Sequence, residues 1–64
     1  MANRYYGVDI GGGMPTDVTE SGSTTSKPVE LVVDVSATGV NKMQVLKAIE
    51  ALEYYITTDT WPPA

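Results

Sequence analysis

One stretch, Asn41 to Thr58 (NKMQVLKAIEALEYYITT), constrains this chain more than any other. Val45, Ile49, Leu52 and Ile56 follow one another at intervals of four, three and four residues, the period of an α-helix. Ala48 and Tyr55 stand beside that stripe, Leu46 on one flank, and Lys42, Lys47, Glu50 and Glu53 form the wetter face. Asn41 is a good N-cap, since its side-chain oxygen can accept from a free N–H of the first turn. Gln44 falls at N3, from which a side chain can reach back to the cap, and Val40 and Val45 take the positions of a hydrophobic staple. Gly39 lets the chain turn into the helix. Thr57 and Thr58 are weak helix formers and Pro62 and Pro63 forbid continuation, so the spacing predicts a helix over 41–58 that frays between Ile56 and Asp59.

An apolar stripe of that length must be covered, and composition limits how. With 64 residues, one domain (1–64) is the ceiling, and the start at Met1 reads as a complete small gene product. Cysteine is absent, so neither a disulfide nor a thiolate metal site can staple the fold. Without disulfide or metal, a core this small calls for association with other chains. No apolar run reaches the length of a membrane span and no signal sequence opens the chain, so the expectation is a soluble protein made in the cytoplasm.

The remaining segments predict strands, an arm and a tail. Residues 5–10 (YYGVDI) read as a strand with Tyr6, Val8 and Ile10 on one face and Tyr5 and Asp9 on the other. Gly7 marks a bulge or a close backbone approach. Residues 28–35 (PVELVVDV) read as a second strand, with Val29, Leu31, Val33 and Val35 on one face and Glu30, Val32 and Asp34 on the other. Between them, 11–27 is rich in Gly, Ser and Thr and reads as an arm, either flexible or extended against a neighbour. Residues 59–64 form an extended tail in which Trp61 either folds back on the core or anchors in a partner. The predicted class is α+β: a small hairpin-like sheet, one C-terminal helix packed across it and a long connecting arm. Two strands alone are marginal, so further strands are expected from a neighbour.

Residues expected to contact partners are the interface-type aromatics Tyr5, Tyr6, Tyr54 and Trp61 with Pro62, the arm's apolar Met14 and Val18, and Val32, which is out of place between two acids.

Chemistry of its own is not expected. Histidine is absent, which removes the usual general base and the commonest metal ligand. Val8-Asp9-Ile10-Gly11-Gly12 looks like the first phosphate loop of the actin-fold ATPases, but 64 residues cannot supply their two lobes, and the glycine spacing suits neither a Rossmann nor a P-loop site. Asp9, Glu30 and Asp34 read as a solvated outer face, not a catalytic pair, which would need a cleft. No catalytic, cofactor-binding or metal-binding residue is predicted, and the chain is expected not to be an enzyme. The net charge is −4, and the four basic residues Arg4, Lys27, Lys42 and Lys47 are scattered, so no basic footprint for nucleic acid exists.

Three stretches, ANRYYGVDIGGG, VTESGSTTSKPVELVVD and KMQVLKAIEALEYYI, resemble short virion-associated proteins of tailed bacteriophages. The resemblance implies a structural part of the particle, such as a capsid-decorating or cement protein or another small head or tail component. It implies assembly with itself, as a trimer or an extended clamp, and with a larger virion protein such as the major capsid protein. It carries over no residue roles. The other reading is a small acidic regulator that binds and blocks a host protein, basic proteins included.

Overall fold

A computed structural model describes residues 2–63 of the chain. Three strands, β1 (Asn3–Val8), β2 (Val18–Ser21) and β3 (Val29–Asp34), form one antiparallel sheet in the order β2-β1-β3, followed by α1 (Lys42–Thr58). The class is α+β, as predicted. Tyr6 stands opposite Glu20 on one side and Leu31 on the other; Val8 stands opposite Val18 and Val29. The pleat therefore gathers Tyr6, Val8, Val18, Val29, Leu31 and Val33 on one face, and Tyr5, Gly7, Glu30 and Val32 on the other.

Two expectations change here. The first strand begins at Asn3 and ends at Val8, so Asp9 and Ile10 lie outside it and Ile10 is 85% exposed. Asp9 instead closes a turn: its carbonyl accepts from Gly12 N–H at 3.0 Å and its carboxylate from Ile10 N–H at 2.9 Å. Gly11 takes the positive φ of 84° that this turn needs. The second change concerns 11–27, which supplies a 3-10 turn at Pro15–Asp17 and then the third strand. Asp17 drives that reversal, accepting the N–H groups of Gly13 and Met14 at 3.1 and 2.9 Å. The sheet thus obtains its third strand from its own chain.

Because β2 and β3 flank β1, the connection 22–28 has to cross β1, and it crosses at Gly7. A Cβ on Gly7 would stand 2.7 Å from Thr25 Cβ and 2.8 Å from Lys27 Cγ. Gly7 is the one buried position among the described residues. Of the two roles open to this glycine, close approach is the one it fills. Glu30 holds the crossing in place, accepting from Thr25 N–H at 2.6 Å and Thr25 Oγ1–H at 2.8 Å. These bonds, the backbone one first, pull the Glu30 pKa down.

The helix starts where predicted. Asn41 Oδ1 accepts from Gln44 N–H at 2.9 Å, and Gly39 has φ 87° in the turn before it. The helix ends at Thr58, within the interval expected for its end. Thr57 and Thr58 hydroxyls donate to the carbonyls of Glu53 and Tyr54 at 2.7 and 3.2 Å, which carries the helix to Thr58. Beyond it the tail bends at Trp61 and Pro62, joined by a cis peptide, and is not uniformly extended.

The helix faces the apolar side of the sheet without closing on it. Val45 is half-buried and every other residue of α1 is exposed, Ile49 at 40% and Leu52 at 47%. Lys42, assigned above to the wet face, lies two turns before Ile49 and lines the helix–sheet cleft.

Candidate interaction surface

The space between helix and sheet is an apolar cleft with two lobes that share Leu31, Val33, Val40, Val45 and Ile49. The larger lobe, about 600 Å³, is completed by Tyr6, Val18, Val35, Asn41, Lys42 and Leu46. The smaller, about 300 Å³, runs along Gln44, Ala48 and Leu52. Each wall follows from the local pattern. The period of two puts Leu31 and Val33 on the sheet face, and the helical period turns Val45, Ile49 and Leu52 toward them. At one border Arg4 crosses to Glu20, with Nε–H donating at 2.9 Å.

Size shows how open this arrangement is. The accessible surface is 5330 Å², against about 4,000 Å² for a compact monomer of 6.8 kDa. The radius of gyration is 12.8 Å, against about 10.7 Å for a compact chain of this length. No apolar side chain among the described residues is buried. The excess surface is about 1,300 Å².

The residues expected to contact partners are not brought together. Tyr6 and Val18 line the larger lobe of the cleft, and Val32 borders the smaller one. Tyr5 and Val32 are Cα partners on the opposite face, where the 22–28 crossing lies. Met14 is exposed in the β1–β2 connection, Tyr54 on the outer side of the helix, and Pro62 and Trp61 in the tail. Trp61, 72% exposed, does not fold back on the sheet. The cleft walls Leu31, Val33, Leu46, Ile49 and Leu52 are not among the expected contacts, because strand and helix periodicity marks them only as apolar faces that need cover. The signal available was the shortage of apolar material to bury them all.

The polar groups are committed to holding turns. Asp34 accepts from Ser36 N–H and Oγ–H at 3.1 and 2.8 Å, Glu30 holds Thr25, and Asp17 occupies the amides of Gly13 and Met14. Of the amides that follow Asp9, those of Ile10, Gly12, Gly13 and Met14 are therefore already bonded. Among the described residues no three acidic or metal-binding side chains converge, and no helix is long and apolar enough to cross a membrane.

Comparison with protein-family models, with curated proteins and with solved structures finds no match.

Proposed function

We propose that this chain is a non-enzymatic structural protein of a viral particle, decorating or cementing a capsid or other virion assembly through association with itself and with a larger virion protein. One observation carries the reading: the helix stripe is exposed at Ile49, Leu52 and Ile56, and an open apolar cleft separates it from a sheet face that is only half-buried at Tyr6, Leu31 and Val33. Exposed apolar surface rimmed by polar residues on a chain this small is the mark of an interaction site. The assignment to a particle rests on the resemblance of the opening, the Ser/Thr-rich stretch and the helix to small tailed-phage proteins. Exposed Trp61 and Tyr54, away from the cleft, supply amphipathic side chains for contact with a second kind of protein.

The test is direct. Purified virions from the source of this sequence should contain the chain in fixed stoichiometry, found by mass spectrometry. The purified chain should rebind particles stripped of it. Absence from particles, together with capture of a single host protein in a salt-sensitive way, would establish the acidic-regulator reading instead.

A further inference from the structure

The open stripe has a property that goes beyond being apolar: its spacing reads the same in both directions. Val45, Ile49, Leu52 and Ile56 are separated by four, three and four residues. A second helix laid against it antiparallel, with residue numbers in each facing pair summing to 101, sets Val45 opposite Ile56 and Ile49 opposite Leu52. Every stripe residue then meets a stripe residue, which a two-fold interface demands. The next facing pair outward is Lys42 with Asp59. Both are exposed and neither makes an ion pair within the protomer among the described residues. In the antiparallel pair their opposite charges close both ends of the seam. A parallel pair would set Lys42 against Lys42 and Asp59 against Asp59, like charges that repel.

We infer that the occupant of the helix–sheet cleft is α1 of a second copy of this chain, in an antiparallel two-fold dimer with Lys42 of each protomer beside Asp59 of the other. The inference rests on the self-association proposed above and adds its surface and its direction. The area fits. The surface of the chain exceeds that of a compact monomer by about 1,300 Å², the order of area that one side of a homodimer interface covers. The two helices together fill the layer between two sheets, and each sheet's apolar face gains a second helix to pack on. Leu46, 53% exposed in the protomer, gains cover at the flank of that seam.

Site-specific crosslinking tests the direction. The chain has no cysteine, so an introduced thiol is unique. Within one helix, positions 42 and 59 are about 26 Å apart at 1.5 Å per residue. A bismaleimide reaching about 10 Å, the spacing of neighbouring helix axes, therefore cannot join them within one protomer. Three proteins are treated: Lys42→Cys, Asp59→Cys, and the chain with both. The expected result is a shift to twice the chain mass on a denaturing gel for the double variant alone, with each single variant staying at 6.8 kDa. Crosslinking of either single variant would overturn the inference in favour of parallel or unspecific pairing. If light scattering shows the untreated chain to be an oligomer while the double variant fails to crosslink, the antiparallel seam is wrong and self-association stands. A monomer by light scattering, with no crosslink, overturns both.

Discussion

Glu30 stands directly opposite Gly7 in the β1–β3 ladder, and the residue that its carboxylate grips, Thr25, is the one that lies on Gly7. Strand pairing, loop crossing and the absence of a side chain thus meet at one point. Gly7 is also the one buried position among the described residues.

Gly7→Ala should be among the most damaging small changes in the molecule. The added methyl overlaps Thr25 and Lys27, so the crossing must lift, at a cost of about 1–3 kcal/mol, the usual cost of overpacking. Gly13→Ala meets nothing within 4 Å and should be neutral or slightly stabilising, by up to ~1 kcal/mol. Urea denaturation of the two variants side by side checks the contrast.

Acid should loosen the same crossing. The Glu30 pKa lies below its ordinary value of 4.5 in the folded chain, because Thr25 bonds favour the carboxylate. The stabilisation is fully present above pH 4.5 and is lost as pH falls through the lower folded value. Glu30→Gln should remove that part of the acid sensitivity. NMR titration of the Glu30 carboxyl checks it: the group should titrate below its ordinary value of 4.5.

Asn41→Ala should cost about 1 kcal/mol of helix stability, the usual loss of an N-cap. Hydrogen exchange at the Gln44 amide reports it, since that N–H donates to Asn41 Oδ1 at 2.9 Å. Protection there should fall more than at Ala51 in mid-helix.

The helix was legible in the sequence almost to the residue, because cap and period lie in adjacent positions and need no distant partner. The two main strands were legible to within two or three residues. The third was not, because Val18-Thr19-Glu20-Ser21 offers one apolar side chain, and its pairing depends on the Asp17 turn and on a register set by β1. Gly7 announced a close approach, yet what approaches, Thr25, is fixed only by the strand order. The cleft was hidden for another reason. Periodicity says which side chains share a face, and whether two faces close on each other depends on tertiary packing. Of the expected partner contacts, Tyr6 and Val18 sit on the strand face that alternation turns toward the helix, while Val32 borders the smaller lobe although it pairs with Tyr5 on the other face.

Ile49→Glu should dissociate the assembly. It places an unpaired charge in the middle of the stripe, and burying one costs about 3–5 kcal/mol, a dissociation constant raised by roughly 100-fold or more. Lys47→Glu, on the outer side of the helix, should leave the mass unchanged. Sedimentation velocity on both variants separates a loss of association from a general effect of added acid.

The account depends on this chain completing its fold by covering α1 with another subunit. Thermal unfolding of the purified chain across a wide range of concentrations, with mass followed by light scattering, tests that most directly. The predicted result is a multimer whose melting midpoint rises with protein concentration, as mass action requires when unfolding and dissociation are linked. A sharp, reversible transition at 6.8 kDa, with a midpoint independent of concentration, would contradict it.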